Sequence, residues 1–531
     1  MSAAVRNGQV TRTQLHHLLA QAAAKRPDAP ALTIKGETRS YGTLWAEVRA
    51  FAGGLKHLEL GRGERIGIYL EKRIETVAAM FGTSLAGGAF VPINPLLRPR
   101  QVGYILNDCD VRVLVTSQER LDLLREELER CPSVEHVVVV GDGGDARAPR
   151  GWVEHSWDGL AGNGAAPEPN RIDLDMGAIF YTSGSTGKPK GVVLSHRNLI
   201  VGGESVSQYL GNHEDDRILA ALPLSFDAGF SQLTTAFTAG AHVILVNYLL
   251  PDEVVRLCAE HEVTGLTCVP PLWLQLADQA WPPQASRSMR YFANTGGRMP
   301  KATLDRLRAI FPEATPYLMY GLTEAFRSTY LDPAEVDRRP DSIGKAIPNA
   351  EILVVRDDGS ECEPGEEGEL VHRGALVAMG YWNDTERTAE RFRPVPSRDG
   401  CACSSETAVF SGDLVRRDEE GFLYFIGRRD EMIKTSGYRV SPTEIEEVAY
   451  DTGLVEDAVA LGIDDARLGQ HIVLAVSPAN GRLEPDELLG RLRRQLPRYM
   501  TPKRVVVRPS LPRSPNGKFD RACLRRELAA S

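Results

Sequence analysis

The sequence predicts an α/β protein: a large N-terminal domain of parallel or mixed βαβ sheets with a β-rich subdomain, followed by a small α+β C-terminal domain. Three observations lead to this prediction. The chain has 531 residues, which is too long for one ordinary hydrophobic core. Short apolar, β-branched runs alternate with helical stretches up to about residue 350. From Glu351 onward the pattern changes to short strands separated by glycine turns.

The first elements illustrate the alternation. The runs "RIGIYLE" and "AFVPINP" bracket a helical stretch over residues 76–86, and "VRVLVTS", "HVVVV" and "RILAALPL" are further strand candidates. The strand "VILV" then precedes the helical "PDEVVRLCAEHEV", and the strand "GLTCVPP" follows it. Strands separated by helices in this way are typical of βαβ units and largely parallel sheets.

The later elements differ. "EILVVRDDG" and "GELVHRG" are short strands that end in glycine turns and predict the β-rich subdomain. After "FIGRRDEMIK" about a hundred residues remain, and their mixed pattern predicts a compact α+β domain.

Composition and charge narrow the function classes. A formal charge of −9 argues against a nucleic-acid partner, which needs a basic surplus. Eight unevenly spaced cysteines do not form a disulfide framework, and the first ten residues lack the apolar core of a signal peptide. The most apolar stretch, residues 218–250, is interrupted by Pro223, Asp227 and Gln232, so no membrane span is predicted. A reducing cytoplasm is the expected location.

The stretch "YTSGSTGKPK", residues 181–190, follows the apolar run "MGAIF". A P-loop would need G-x-x-x-x-G-K-[ST], whereas here the glycine spacing differs and Pro189 stands where the metal-binding hydroxyl belongs. The interpretation of this stretch as a flexible linker is also excluded, because the pattern of strand and helix resumes directly after it in "GVVLSHRNL". We therefore expect a loop rich in glycines and hydroxyls that wraps the β- and γ-phosphates of a nucleotide.

Three further motifs follow in order: "YGLTEA", a long segment from "SGDLVRRDEEGF" to "SPTEIEE", and "PNGKFDR". Together with the loop they resemble the adenylate-forming (ANL) superfamily of AMP-dependent acyl-CoA synthetases, amino-acid adenylation enzymes and luciferases. The resemblance runs from about Gln14 to Leu528. A closer likeness to the exosortase A-associated AMP-forming acyl-CoA ligases rests on "LPLSFD", "YGLTEAFRSTYL" and "RRPDSIGKAIPNAEILV".

The resemblance implies the ANL fold and a reaction in two halves. ATP and Mg²⁺ activate a carboxylic acid to an acyl-adenylate with release of pyrophosphate, and a thiol then displaces AMP. Cationic and hydrogen-bonding groups must neutralise the charge that builds up between carboxylate and phosphate. The thiol is that of CoA or of the phosphopantetheine arm of an acyl or peptidyl carrier protein.

The resemblance also implies where the nucleotide binds. Thr323 is expected at the α-phosphate and Glu324 at Mg²⁺, and Tyr320 is expected to stack on adenine beside Gly296 and Gly297. The residues expected to hold the β- and γ-phosphates are Thr182, Ser183, Ser185, Thr186 and Lys188.

The C-terminal part supplies the other roles that the resemblance implies. Asp413, with Arg428, is expected to bind the ribose hydroxyls, and Lys518 is expected to bridge carboxylate and α-phosphate during adenylation. Asp430 is the expected hinge about which the C-terminal domain rotates between the half-reactions, and Gly437 is expected to line the pantetheine tunnel. The predicted division is residues 1–426, a hinge at 427–432, and a mobile domain at 433–531.

The segment "LPLSFDAGFSQ" bears on which carboxylic acid is the substrate. Asp227 occupies the position at which amino-acid adenylation enzymes hold the substrate amine, and Arg327, Cys268 and Met319 are also expected at the acyl pocket. Asp227 and Arg327 facing one pocket imply a small polar acid, zwitterionic or dicarboxylic. The alternative is that the two side chains pair with each other and contact no ligand.

The motifs favour an acid–thiol ligase over the other classes. A luciferase-like oxygenase would need a pocket for a bulky aromatic substrate, and a non-catalytic relative would be expected to lack Lys518 or Glu324. Two other hypotheses stay open among the ligases. The protein could be a stand-alone amino-acid adenylation enzyme that loads a carrier protein, or an ordinary fatty-acyl-CoA synthetase. The motifs do not address the oligomeric state.

Overall fold

The computed structural model describes residues 12–141, 146–147, 151–161, 171–182, 189–396, 405–429, 431–435, 438–465, 468–496, 498, 500–514 and 517–529. The chain divides into two compact units. Unit 1 comprises residues 1–340, 344–352 and 372–409. Unit 2 comprises residues 341–343, 353–371 and 410–531.

The elements up to residue 335 confirm the predicted alternation of strands and helices. The strands are β1 (Pro30–Ile34), β2 (Glu37–Ser40), β3 (Arg65–Tyr69), β4 (Ala89–Pro92), β5 (Val111–Ser117), β6 (His136–Val140), β7 (Ala146–Arg147), β8 (Val153–Ser156), β9 (Met176–Thr182), β10 (Lys190–Ser195), β11 (Arg217–Ala220), β12 (His242–Leu245), β13 (Gly265–Cys268), β14 (Tyr291–Asn294), β15 (Thr315–Tyr320) and β16 (Thr329–Leu331). The helices are α1 (His17–Lys25), α2 (Tyr41–His57), α3 (Ile74–Ala86), α4 (Pro99–Asp108), α5 (Gln118–Leu128), α6 (Trp157–Ala161), α7 (His196–Leu210), α8 (Asp227–Ala239), α9 (Pro251–Glu260), α10 (Pro270–Ala277), α11 (Pro283–Ser288) and α12 (Lys301–Ile310), with 3-10 turns at Thr323–Ala325 and Pro333–Glu335.

The later elements are mostly strands at first and mixed at the end. The strands are β17 (Ser342–Ala346), β18 (Ala350–Val355), β19 (Glu367–Gly374), β20 (Gly380–Tyr381), β21 (Phe392–Pro396), β22 (Ser405–Arg417), β23 (Leu423–Arg428), β24 (Ile433–Thr435), β25 (Tyr438–Val440), β26 (Val455–Asp465), β27 (Gly469–Pro478) and β28 (Arg504–Val507). The helices are α13 (Thr385–Arg391), α14 (Pro442–Asp451), α15 (Pro485–Gln495) and α16 (Arg521–Ala529).

Unit 1 contains two sheets. In the first, the order β16-β15-β14-β13-β11-β12-β1-β2 is parallel from β15 to β1 and antiparallel at both ends. In the second, the order is β20-β10-β9-β4-β3-β5-β6-β8-β7, with the hairpin β9–β10 antiparallel and the strands from β9 to β8 parallel. These are the parallel and mixed sheets that the sequence predicts.

Aromatic side chains join helices and strands in the core of unit 1. Phe81 on α3 lies 6.1 Å from Phe230 and 5.3 Å from Phe237, both on α8. Phe230 also contacts Phe90 on β4 and Phe180 on β9, at ring-centroid distances of 5.1 and 5.8 Å. Nearly every residue of helix α3 is buried. This is typical of a helix that is apolar around most of its circumference.

Unit 2 contains the β-rich strands and the C-terminal α+β part. Its strands follow the orders β18-β19-β22-β23 and β25-β24-β27-β26, with β28 parallel to β27. Helices α14 and α15 pack against the second of these groups through buried residues such as Ile445, Leu488 and Leu492. In the described part of the chain, no helix combines the length and the apolar character needed to cross a membrane.

Lys72 connects the two sheets of unit 1 through hydrogen bonds. It follows β3, and its buried Nζ donates to the carbonyl oxygens of Ala220, Ala221 and Val246 at 2.7–2.8 Å, at the carboxyl ends of β11 and β12. Asn247 bonds the backbone of Lys72 in both directions: the Lys72 N–H donates to Asn247 Oδ1, and Asn247 Nδ2 donates to the Lys72 carbonyl. The buried Lys72 side chain thus supplies the hydrogen-bond donor for three carbonyls at the ends of these two strands.

We expect Lys72→Met to lower the free energy of unfolding of unit 1 by about 3 to 5 kcal/mol, because three buried carbonyls lose their donor while side-chain length is kept. Urea denaturation followed by tryptophan fluorescence measures the change. Lys301→Met, at the exposed start of α12, is the matched control and should shift the midpoint little. Equal shifts for both variants would contradict a structural role for the Lys72 ammonium.

Candidate active site

The carboxyl edge of the parallel strands in the first sheet collects several predicted site residues. Cys268 ends β13, and in the register of the strands it lies opposite Asn294, which ends β14. Gly296 and Gly297 follow β14, and Tyr320 ends β15. Because ligands bind at the carboxyl ends of such strands, this edge is where a binding crevice is expected.

Glu324 is the charged centre of this edge. Its carboxylate Oε1 accepts hydrogen bonds from Lys190 Nζ at 2.8 Å and from the Tyr381 hydroxyl at 2.7 Å. Lys190 also donates to the Tyr381 oxygen at 2.9 Å, which closes a triangle of polar groups. Only 14% of the Glu324 side chain is exposed.

The surroundings keep Glu324 ionised. Burial by itself raises the pKa of this carboxyl, but the charge of Lys190 and the hydrogen bonds from Lys190 and Tyr381 outweigh it and lower the pKa to about 2. Glu324 therefore carries its negative charge throughout the physiological range.

Neither Lys190 nor Tyr381 was assigned a role by the sequence analysis. Lys190 could have been found, because it is the second lysine of the stretch "YTSGSTGKPK" and begins β10. Tyr381 lies 57 residues beyond Glu324 and in no recognised motif, so only the pairing of β20 with β10 brings it to the site.

Asp227 and Arg327 contact each other. Arg327 Nη1 lies 3.1 Å from Asp227 Oδ2, and both side chains are largely buried. The Thr323 hydroxyl donates to the other oxygen, Oδ1, at 3.0 Å. Of the two alternatives that the sequence left open, the mutual ion pair is present, and it ties α8 to the same turn that carries Glu324.

Two close contacts fix this turn and the start of α8. Phe326 has φ +55°, a conformation that side chains other than glycine rarely adopt, and its fully buried ring packs on Gly202, where an added Cβ would lie 2.2 Å from the ring. An added Cβ at Gly229 would lie 1.8 Å from the Pro223 carbonyl oxygen. Both glycines are needed because a neighbouring group occupies the space of a side chain.

A small cavity with a volume of about 20 Å³ lies beside the ion pair. Its lining includes the predicted residues Arg327 and Met319, and Asp227 lies next to Ala228, which also lines it. Thr267 lines the cavity, whereas the predicted Cys268 is fully buried one residue later in β13. Since successive strand residues face opposite sides of a sheet, Thr267 is the residue of this pair that faces the cavity.

The predicted phosphate loop is described only at its ends. Thr182 ends β9 and pairs with Lys190 across the hairpin. Its Oγ1 is buried and has no hydrogen-bond partner in the described ranges. The other predicted members lie outside the described residues: Ser183, Ser185, Thr186 and Lys188.

Asp413 and Arg428 face each other in unit 2. They are opposite residues of the antiparallel strands β22 and β23, and Arg428 Nε lies 3.3 Å from Asp413 Oδ1. The Asp413 N–H donates to Ser411 Oγ at 3.0 Å. The structure thus brings together the two residues that were predicted to share one ligand.

Lys518 is exposed in unit 2, in a tight turn where the Ser514 N–H donates to the Lys518 carbonyl at 2.7 Å. Asp430 and Gly437 lie outside the described residues. The predicted hinge and tunnel roles of these two residues, and the predicted domain boundaries, stay predictions.

The residues present fit a magnesium ion that is shared with phosphates. Within the described ranges, His, Cys, Asp and Glu side chains form no group of three or more that could hold a metal ion. Mg²⁺ commonly binds through one or two carboxylates together with substrate phosphates, and the ionised Glu324 is such a ligand. The site fits a metal that arrives with a nucleotide.

Family models match most of this chain. Residues 19–382 match the model of the AMP-binding enzyme family, and residues 444–518 match the model of the AMP-binding enzyme C-terminal domain.

Individual proteins are similar over nearly the whole length. A long-chain-fatty-acid–CoA ligase of Salmonella typhimurium is 30% identical over 97% of this chain and 94% of its own length. Tyrocidine synthase 3 of Brevibacillus parabrevis is 30% identical over 96% of this chain and 8% of its own length. The structure of o-succinylbenzoate CoA synthetase from Bacillus subtilis, in complex with its acyl-adenylate intermediate, has a TM-score of 0.81 and 27% identity over 96% of this chain and 97% of that one.

Gly229→Ala tests how α8 is positioned. The new Cβ meets a backbone carbonyl that cannot rotate away, so the start of α8 must shift and the contact of Asp227 with Arg327 should be lost. We expect a loss of about 1 to 3 kcal/mol in the free energy of unfolding. We also expect enzyme activity to fall by a larger fraction than the amount of folded protein. Gly490→Ala, in α15 with open space around the added Cβ, is the control and should be neutral or stabilising. A Gly229→Ala variant with unchanged stability and activity would contradict the packing described for α8.

The pKa of Glu324 predicts a pH dependence. Because its folded-state pKa, about 2, lies below the usual value near 4.3, its ionised form adds stability above about pH 5. That contribution decreases as the pH falls toward 2. The difference in unfolding free energy between the wild type and Glu324→Gln should therefore shrink by about 2 kcal/mol from pH 6 to pH 3. Urea titrations at each pH measure it, with Glu313→Gln at an exposed position as control; a difference that stays constant with pH would refute the ion pair.

Proposed function

We propose, since this chain belongs to the AMP-binding enzyme family, that it uses ATP to join a small carboxylic acid to a thiol in two steps. In the first, a carboxylate oxygen attacks the α-phosphorus of ATP, the bond between the α- and β-phosphates breaks, and pyrophosphate leaves. In the second, the thiol sulfur attacks the carbonyl carbon of the acyl-adenylate, AMP leaves with the bonding electrons, and the thiol proton passes to solvent.

One observation carries this proposal: a single turn links the cavity to the strand that follows the phosphate loop. Thr323 donates to Asp227 beside the cavity, and Glu324 pairs with Lys190 at the start of β10. An acid in the cavity and phosphates on the loop would therefore meet at this turn. Bringing the two reactants together in one orientation is itself a large part of the rate enhancement.

The residues of unit 1 are proposed to act as follows. Thr323 releases its hydrogen bond to Asp227 and donates to the α-phosphate, while Glu324, held ionised by Lys190, would hold the metal. Thr182, whose hydroxyl has no partner in the described ranges, donates to a phosphate oxygen together with Lys188 and the other loop residues. Tyr320 stacks on the adenine above Gly296 and Gly297. Mg²⁺, when bound, neutralises phosphate charge and favours departure of pyrophosphate.

The residues of unit 2 are proposed to bind ribose and to assist the chemistry. The Asp413 carboxylate accepts from the ribose hydroxyls, and Arg428 holds that carboxylate in position at 3.3 Å. Lys518 neutralises the charge shared by carboxylate and α-phosphate during the first step. The second step then needs Lys518 to leave by rotation about Asp430, with the pantetheine arm passing Gly437.

The acceptor is proposed to be CoA or a phosphopantetheine arm on a carrier protein. Similarity to a fatty-acyl-CoA ligase supports CoA, and similarity to tyrocidine synthase 3 supports loading of a carrier. We also propose a reducing, cytoplasmic location, which is supported by the free thiols of every cysteine in the described ranges.

Lys518→Ala tests the division of labour between the two steps. We expect acyl-adenylate formation to slow by about two to three orders of magnitude, the cost of losing one charge that stabilises the transition state. ATP–pyrophosphate exchange with a panel of acids measures this first step. Thioester formation from a pre-made acyl-adenylate, followed by release of AMP, should be nearly unchanged.

The matched control is Lys503→Ala, an exposed lysine of unit 2 that lies 3.4 Å from Asp465, and it should leave both steps unchanged. If Lys518→Ala slows both steps equally, the proposed separation of roles is wrong. If the wild type exchanges pyrophosphate with none of the acids, the proposed reaction itself is wrong.

A further inference from the structure

We infer that the acid this enzyme activates is short and carries, at its far end, an uncharged group that both donates and accepts hydrogen bonds, namely a hydroxyl or a carboxamide. The inference rests on the proposed function and concerns the cavity beside Asp227 and Arg327. It narrows the broader expectation from the sequence, which included zwitterionic and dicarboxylic acids.

The first observation is the charge balance of the cavity. Arg327 and Asp227 form an ion pair at 3.1 Å, and the second Asp227 oxygen accepts from Thr323. The positive and the negative charge are thus already matched within the protein. An ammonium or a second carboxylate on the acid would add a charge without a counter-charge in a buried place, which is costly.

The second observation is a set of buried polar atoms without partners. Arg327 Nε, Gln232 Oε1 and Thr235 Oγ1 belong to residues that line the cavity, and in the described ranges none of these atoms has a hydrogen-bond partner. All three residues are at most 5% exposed, so water from the surface does not reach them freely. Buried polar groups are nearly always hydrogen-bonded to protein, to a ligand or to ordered water, so these three atoms are available to a polar group that enters the cavity.

The three atoms differ in whether they donate or accept hydrogen bonds, and so in the group that each would bind. Arg327 Nε can only donate. Gln232 Oε1 can only accept, and its orientation is set because Gln232 Nε2 donates to the Gly229 carbonyl at 3.2 Å. The Thr235 hydroxyl can do either. The ligand must therefore offer an acceptor to Arg327 and a donor to Gln232.

Only some chemical groups meet both needs. A hydroxyl donates through its hydrogen and accepts through its lone pairs, and a carboxamide donates through nitrogen and accepts through oxygen. An ammonium cannot accept from Arg327, a carboxylate cannot donate to Gln232, and an alkyl end does neither. Each of these leaves at least one buried group unsatisfied, which corresponds to about a 10- to 100-fold loss in affinity.

The size of the cavity limits the length of the acid. Its volume of about 20 Å³ leaves room for roughly one water-sized group. Its wall also includes the apolar side chains of Val206, Leu210 and Ile218. A short acid that ends in one small polar group matches this space, so acids of about four to six carbon atoms are the ones to test.

The test is ATP–pyrophosphate exchange by the full-length enzyme with five matched acids at each length from four to six carbons. Each set contains the alkyl acid, its terminal hydroxy, amino and carboxamide derivatives, and the dicarboxylic acid. We expect the hydroxy or the carboxamide acid to exceed the other three in kcat/KM by about 10- to 100-fold. An alkyl, amino or dicarboxylic acid that reacts as well or better would overturn the inference but leave the proposed function standing. Exchange with none of the acids would instead contradict both.

Variants connect the preference to the named atoms. Gln232→Leu and Thr235→Val remove polar atoms with little change in volume, and both should raise the KM for the preferred acid while improving the alkyl acid of the same length. Thr234→Val is the matched control: Thr234 is the neighbouring buried residue on α8, and its hydroxyl already donates to the Ser231 carbonyl at 3.2 Å. It should leave the ranking of the acids unchanged. If Gln232→Leu and Thr235→Val also leave the ranking unchanged, the inference is wrong.

Discussion

A buried negative charge organises the site in unit 1. Glu324 can stay ionised in its buried position only because a cation and a hydroxyl reach it, and Lys190 and Tyr381 come from two other strands. The need to pair this carboxylate therefore fixes three segments against each other: the start of β10, the turn after β15, and β20.

The same turn carries a second ion pair, and the two pairs have different consequences. Glu324 pairs with Lys190 at the start of β10, whereas Arg327 pairs with Asp227 beside the cavity. Phe326 stands between them with a positive φ, and its buried ring packs on Gly202. Strained backbone of this kind persists where the surrounding packing over-determines it, and it is frequent at functional sites. Here it lets one short turn present two charged groups in two directions.

The pairing of Asp227 with Arg327 changes how the acid is understood. Taken separately, each side chain suggests a charged substrate group. As a pair they cancel, and the polar atoms left over belong to Gln232, Thr235 and the Nε of Arg327. The chemistry of the pocket is therefore set by hydrogen bonds and not by net charge.

The sequence by itself determined the family, the alternation of strands and helices, and the parallel and mixed sheets. The reason is that these follow from local patterns: β-branched runs, helical periodicity, and motifs such as "YGLTEA" in which neighbouring residues act together. It also pointed to Glu324, Asp413 and Arg428, and the last two proved to be opposite residues on paired strands.

Tertiary structure alone decided which side chains meet across long distances in the chain. Tyr381 reaches Glu324 and Arg327 reaches Asp227 over 57 and 100 residues. Lys72 reaches the ends of β11 and β12 over 148 and 174 residues. Likewise, strand alternation, and not motif position, selects Thr267 over Cys268 for the cavity. Such contacts depend on the register and crossing of whole elements, and the pairing of a buried charge is settled only when those elements pack.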